Sequence, residues 1–199
     1  MSCRNEEDLS FRDFRHYPSK RRKEILNDPE QLKIMIRKTM KESRYLHSLS
    51  VAETAAKLAE KHHVDQKKAY TAGLLHDVTK DLPIEEQDEY LRYFDPEKLE
   101  YPDKVKHSFS AVYYLKDMCN FHDKDILHAI YNHTICTSRD KLSIILYIAD
   151  KREPLRGVDD GLLELAYTDL YKAYDLLTEE VREYLERRGT DDRIIESRI

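Results

Sequence analysis

Apolar residues recur at three- and four-residue intervals along most of this chain, the spacing that lets a helix bury one face while the other stays wet. The breaks between these stretches carry Asp, Ser and Pro, residue types that favour helix starts. Asp28-Pro29 opens a helix expected to run to about Met40, and Ser43 is placed to cap a second one reaching about His62. In that second helix Tyr45, Leu49, Ala52, Ala55, Ala56 and Ala59 fall on one face. Asp65 caps a further segment that ends at His76-Asp77, and Pro83 begins another that stops near Asp95-Pro96. After Pro102-Asp103 the pattern predicts a helix with His107, Ala111, Tyr114, Leu115 and Met118 near one face, then a helix around Lys124 to Asn132. Leu142 to Ala149 is apolar nearly all round, the mark of a buried helix, and it ends in Asp150. Past the turn Glu153-Pro154-Leu155-Arg156-Gly157, a stripe of Leu163, Ala166, Leu170, Ala173, Leu177, Val181 and Tyr184 predicts one long helix from about Asp159 to Arg188, with Gly189 as its C-cap.

With only 4 Gly and 6 Pro in 199 residues, and no repeat, long linker or low-complexity block, the expectation is an all-α bundle with a single core. Residues 1–28 stand apart, because Phe11, Phe14 and Tyr17 are scattered among Arg12, Arg15, Lys20, Arg21, Arg22 and Lys23 without an apolar period. They read as a basic N-terminal extension, solvated or loosely docked, ahead of a main domain at 29–188 and a C-terminal tail at 189–199. The net charge of −5 offers no general attraction for nucleic acid, so a phosphate ligand needs local positive charge, and a metal ion is one source of it. Cys3, Cys119 and Cys136 are odd in number and form no CxxC pair, which favours a reducing interior over a disulfide framework. The opening MSCRNEEDLS lacks an apolar signal core, and the longest apolar run, Ile144 to Ala149, is too short for a bilayer. A cytoplasmic protein without a membrane segment is expected.

The chemistry concentrates around His76 and Asp77. Neighbours on a helix point about 100° apart, so an adjacent imidazole and carboxylate share one ion only at a helix end, where the second is free to swing round. Asp81, Pro83 and Glu85-Glu86 mark that end. His47, His107 and His133 also fall on or beside inward faces, and Asp150 closes the most apolar helix, whereas His122 and His128 leave the stripe. A single histidine in such a place is more often a hydrogen-bonded core residue, but the joint pattern of histidines and aspartates points to a bound cation. Arg44 lies within an apolar arc and must snorkel or meet an anion.

The order H…HD…H…H…D resembles the HD-domain superfamily of metal-dependent phosphohydrolases, with an HD-domain helical bundle. The resemblance covers about Pro29 to Arg188 and rests on RYLHSLSV, AGLLHDVTKD, His107-Ser108, His133-Thr134 and LYIADKREPLR. In this combination it looks like the YqeK group, the symmetrical diadenosine tetraphosphate hydrolases, which release two ADP and are associated with iron. The resemblance implies that His47, His76, Asp77 and Asp150 hold a first ion. His107 and His133, with Asp77 as a bridge, would meet a second ion or the phosphates. It places Arg44, Lys80, Thr134 and Arg156 on the nucleotide, gives Asp77, Lys80, His107 and His133 catalytic roles, and implies a homodimer. One departure is clear: His133-Thr134 continues as Ile135-Cys136-Thr137-Ser138 where the family has Thr-Gly and a longer loop.

These residue types suit the reaction. A mixed imidazole and carboxylate shell fits iron, manganese or zinc better than calcium, and the absence of cysteine ligands argues against a structural zinc finger. Hydrolysis of a phosphoanhydride needs a nucleophile at neutral pH, which a metal-activated water provides, and cations to offset phosphoryl charge, for which Lys80, Arg44 and Arg156 are the candidates. Lys80 as a solvated turn residue and Arg156 as a structural ion pair are the plainer readings of those two side chains. Another nucleotide phosphohydrolase (a nucleotidase or an alarmone hydrolase), an ADP-binding sensor without turnover, and a helical scaffold with coincidental histidines remain as alternatives.

Overall fold

Aspartate side chains set several of the helix starts, as their spacing in the sequence requires. In the computed structural model, which describes residues 14 and 16–187, Asp28 accepts from Glu30 and Gln31 N–H to open α2 (Pro29–Thr39), and Asp65 accepts from Lys68 N–H to open α4 (Gln66–Leu75). Asp123 does the same for α7 (Lys124–Asn132) and Asp140 for α8 (Lys141–Arg152). Between these lie α3 (Glu42–Lys61), α5 (Ile84–Phe94) and α6 (Asp103–Cys119), and the chain described here begins with α1 (Ser19–Asn27) and closes with α9 (Leu162–Thr168) and α10 (Leu170–Arg187). Short 3-10 turns, Pro96–Glu100 and Pro154–Arg156, join α5 to α6 and follow α8. No strand occurs among the described residues, and no helix there is long and apolar enough to cross a membrane. The expected all-α bundle is what forms.

α8 is the axis of the core: Ile144, Ile145, Leu146, Tyr147, Ile148 and Ala149 are all fully buried, as a helix apolar on every side demands. α3 and α4 pack against it and against each other at unusually close range. A Cβ built on Gly73 of α4 would lie 2.4 Å from Ala52 Cα of α3, so only glycine allows this approach. The contact brings the N-terminal half of α3 alongside the C-terminal end of α4, which is how His47 comes to face His76.

Four expectations need correction. Ser43 does not cap α3, which begins one residue earlier behind Lys41 without a side-chain cap. The long terminal helix is two helices, because Asp169 adopts φ −139° and ψ 89° and its carboxylate accepts from the Lys172 N–H at 3.0 Å, capping the second one. An aspartate able to accept from backbone N–H groups just ahead of it competes with helix continuation here, and the periodic stripe runs through the break without registering it. Tyr184, counted in that stripe, is 46% exposed. In the expected N-terminal extension, Phe14, Ile25 and Leu26 are buried in the core cluster. Phe11, Arg12 and Arg15, the Gly189 cap and the 189–199 tail lie outside the described residues.

Candidate metal centre and active site

His76 is the C-cap of α4 and Asp77 follows it in a run of turns, so the two side chains escape the divergence of a regular helix. His76 Nε2 lies 3.4 Å from Asp77 Oδ2 and 3.7 Å from Asp150 Oδ1. His47 Nε2, from α3, is 3.1 Å from Asp150 Oδ1 and 3.9 Å from Asp77 Oδ2. His133 is likewise the C-cap of its helix, α7, and its Nε2 reaches to 3.6 Å from Asp77 Oδ1. His107, from the first half of α6, brings Nε2 to 3.2 Å from the same oxygen and 3.1 Å from His133 Nε2. Ends and turns of α3, α4, α6, α7 and α8 thus meet at one point.

The far sides of two rings fix their proton positions. His76 Nδ1 donates to the Gly73 carbonyl at 2.7 Å and His133 Nδ1 to the Ile130 carbonyl at 2.7 Å, while His47 lies between two carboxylates, with Nδ1 3.0 Å from Glu153 Oε1 and Nε2 3.1 Å from Asp150 Oδ1. With Nδ1–H used outward, His76 and His133 each turn Nε2 inward, where a neutral ring presents a lone pair to carboxylate oxygens that are also acceptors. Acceptors facing acceptors in a buried space repel unless a cation sits among them. His76 Nε2 is fully buried and has no hydrogen-bond partner. The ligand-bearing atoms of His47, His76 and Asp150 lie within 4.8 Å of one another, as do those of His76, Asp77 and His133. The donor set therefore fits a divalent transition ion, with outward Nδ1 hydrogen bonds of the kind that orient metal-binding histidines.

Charge distribution agrees. Burial works against ionising Asp77, but His76, His107 and His133 around it hold its carboxyl well below the usual range. Asp150 is held low in the same way against its own burial, by Lys151 and His47. For His76, burial opposes a proton, yet the fields of Asp77 and Asp150 outweigh it and draw positive charge to the Nε2 position.

His107 behaves differently. Its Nδ1 faces the Lys80 ammonium at 2.9 Å and accepts from it, which leaves the ring proton on Nε2, pointing at Asp77 Oδ1 and His133. Burial pushes the His107 pKa down to about 4, so the ring is neutral. Lys80 is itself drawn below the ordinary lysine range by burial, and it also donates to the Lys104 carbonyl at 3.0 Å. It is no solvated turn residue.

Every site residue expected from the sequence arrives here. Arg44 Nη1 donates to Asp77 Oδ2 at 2.5 Å, Thr134 Oγ1 stands 3.3 Å from His107 Nε2, and Arg156 Nη2 donates to Asp150 Oδ1 at 2.9 Å. His122 and His128, set aside on periodicity, are both exposed. Sequence reasoning missed Glu153, which was read only as part of a turn. It is buried, and besides receiving His47 Nδ1–H it accepts from the Leu155 N–H at 2.6 Å. Its signal was available: a carboxylate one turn after Asp150 on the same helical end. Lys151, whose ammonium is 2.5 Å from Asp150 Oδ2, was also missed.

Comparison with known proteins places this geometry. The HD domain model matches residues 44–155, a span that contains every ligand candidate and excludes only Arg156 among the expected site residues. The chain is 34% identical over 179 residues to a protein of Mycoplasma pneumoniae named a probable nicotinate-nucleotide adenylyltransferase/Ap4A hydrolase; the match covers 85% of this chain and 52% of that one. The chain thus spans about half the length of that relative. It is 32% identical over 152 residues to the symmetrical bis(5'-nucleosyl)-tetraphosphatase of Bacillus subtilis, covering 72% of this chain and 80% of the relative. A crystal structure of a predicted HD superfamily hydrolase involved in NAD metabolism, from Clostridium acetobutylicum, superposes with a TM-score of 0.74 at 30% identity, over 86% of this chain and 95% of the other. Matched over more than half its length, and carrying paired histidines and aspartates on helix ends around one point, the chain belongs to the HD-domain family.

Proposed function

We propose that this protein hydrolyses diadenosine tetraphosphate symmetrically, cleaving one central phosphoanhydride with water to give two ADP. The observation that carries the reading is the cluster of inward lone pairs, with His76 Nε2 orphaned among carboxylates, in a chain whose relatives include symmetrical tetraphosphatases. His47, His76, Asp77 and Asp150 would hold an ion, which we take to be iron, with manganese or zinc as substitutes. When bound, such an ion lowers the pKa of a coordinated water towards about 7 and neutralises phosphoryl charge.

The chain's own groups complete the chemistry. Arg44 and Arg156, each ion-paired with a ligand aspartate, are placed to exchange part of that contact for phosphate oxygens. Thr134 offers a hydroxyl to the same edge. His107, kept in its Nε2–H form by Lys80, is a proton donor aimed into the centre and suits protonation of the departing ADP oxygen. This tautomer favours His107 as a donor over His107 as a second-ion ligand. His133, with its lone pair inward, is the better second ligand.

Incubation with diadenosine tetraphosphate and Fe²⁺, followed by nucleotide separation, tests the reading. ADP as sole product supports it, and AMP with ATP, or no cleavage, refutes it. Asp77→Ala removes a ligand and the partner of Arg44, and its turnover should be undetectable.

A further inference from the structure

The turn after α4 carries more than its charged residues. Between Asp77 and Lys80 stands Thr79, fully buried, in a run of tight turns closed by the Lys80 N–H to the Asp77 carbonyl at 2.9 Å and the Leu82 N–H to the Thr79 carbonyl at 3.0 Å. Its hydroxyl does not turn back on the neighbouring backbone, as a threonine in a turn can. Oγ1 donates instead to the His107 carbonyl at 3.0 Å, 28 residues further along the chain. With its proton spent there, it accepts from Ser110 Oγ at 2.9 Å, and Ser110 is fully buried as well.

These bonds join the ligand-bearing turn to α6 at the residue whose ring reaches the centre. α6 packs chiefly against α5 and α7. Its register on the Asp77 turn therefore falls largely to polar contacts: Thr79 to the His107 carbonyl, and Lys80 to the Lys104 carbonyl at 3.0 Å, one helical turn earlier. With α6 pinned at both carbonyls, the His107 ring meets the Lys80 ammonium on its Nδ1 side at 2.9 Å and Asp77 Oδ1 on its Nε2 side at 3.2 Å. Lys80 alone does not fix this pose, because a flexible four-carbon stem lets an ammonium follow a moving ring. Thr79 is short and stiff at χ1, so its hydroxyl sets a distance. Sealed from solvent, it acts through His107 and not on a substrate. We propose that Thr79 is a positioning residue: its hydroxyl, held by Ser110, locks α6 onto the turn that carries Asp77 and Lys80, and so keeps the His107 ring in the pose that leaves its proton on Nε2. The inference rests on the reading above for what that proton does, while the pose of the ring is its own claim.

Thr79→Val keeps the shape and removes the hydroxyl, whereas Thr79→Ser keeps the hydroxyl. In steady-state kinetics of the Fe²⁺-loaded proteins with diadenosine tetraphosphate, Thr79→Val should lower kcat about 10- to 100-fold, the scale of a misplaced reacting group, and leave KM within about two-fold. Thr79→Ser should return kcat to within about three-fold of the parent, since the hydrogen bond is remade. Ring-nitrogen NMR of the Zn²⁺-loaded proteins, whose ion is diamagnetic, reads the pose without turnover. His107 should carry its proton on Nε2 in the parent and in Thr79→Ser, and exchange between both tautomers in Thr79→Val. A hydroxyl that only adds stability would lower Tm and leave kcat and the ring tautomer at parent values. That result, a Thr79→Ser protein as slow as Thr79→Val, or a loss confined to KM overturns the proposal. Should Thr79→Val fail to fold, Ser110→Ala removes the partner that orients the hydroxyl and should lower kcat on the scale of one hydrogen bond, about 2- to 10-fold, with KM held; an unchanged kcat there overturns it equally. A parent protein that leaves diadenosine tetraphosphate intact, while Thr79→Val still mixes the His107 tautomers, would remove the functional reading and leave the positioning claim standing.

Discussion

Replacing Gly73 by alanine separates stability from site geometry better than any ligand substitution. The added Cβ would lie 2.4 Å from Ala52 Cα, 2.7 Å from Ala52 N and 3.1 Å from Ala52 Cβ. Ordinary carbon contacts need about 3.5–4.0 Å, so α3 and α4 must part locally by about 1 Å. The two nearest atoms are backbone, so no rotamer change relieves the clash. Overpacking of this kind costs about 1–3 kcal/mol, and the usual gain from glycine to alanine within a helix, about 1 kcal/mol, offsets part of it. The net loss of up to about 2 kcal/mol would lower Tm by several degrees in a domain of this size. The effect on activity should be far larger. His47 rides on α3 and His76 caps α4, and their inward nitrogens share Asp150 within 3.1 and 3.7 Å. A displacement of about 1 Å at reacting groups costs on the order of 100-fold. Thermal melting, metal titration and steady-state kinetics on Gly73→Ala should show a modest Tm loss, weaker metal binding and a kcat/KM down about 100-fold. Ala52→Gly in the same background should not restore function, because the closest clashes are with main chain. A Gly73→Ala protein that binds metal and turns over like the parent would refute the claim that this close approach sets the centre.

Glu153→Ala should weaken metal binding about 10- to 100-fold by freeing the His47 ring, as loss of an orienting partner does elsewhere, and an unchanged affinity in a metal titration would contradict that role. Asp140→Ala removes the α8 cap, whose carboxylate accepts from Ser143 N–H at 3.0 Å, and should cost about 1 kcal/mol in denaturant unfolding. Burial works against the Asp140 charge, but hydrogen bonds from Ser138 and Ser143 hold its folded pKa below the ordinary carboxylate value. Its stabilisation is therefore complete above an unfolded pKa of about 4 and disappears as pH falls through the lower folded value, so the gap between parent and Asp140→Ala should close in acid and persist at neutral pH. Chelation should abolish turnover and lower Tm while circular dichroism keeps its helical signature, since the helices pack through a core that does not include the ion; full activity in the stripped protein would exclude a metal mechanism.

How much could be read beforehand follows from which forces are local. Periodicity and capping residues are properties of neighbouring positions, so Asp28 and Asp65 announced their helices, and a helix around Lys124 to Asn132 was legible from its apolar spacing. Where local signals compete, sequence reading failed: Asp169 caps a new helix by accepting from the Lys172 N–H and splits an otherwise continuous apolar stripe. The ligand candidates were legible because histidines and aspartates on inward faces are costly unless something answers them.

The amino-acid order by itself determined an all-helical chain, its principal breaks, and the identity of the residues that converge on the centre. Tertiary structure alone decided the rest. Gly73 lets two helices approach until His47 and His76 share an aspartate, the Gly73 and Ile130 carbonyls choose the tautomers of His76 and His133, and Lys80 turns His107 into a donor. The physical reason is range. Helix propensity acts over a few residues and is written in the chain, whereas the proton on an imidazole depends on whichever distant group packing brings to its other nitrogen.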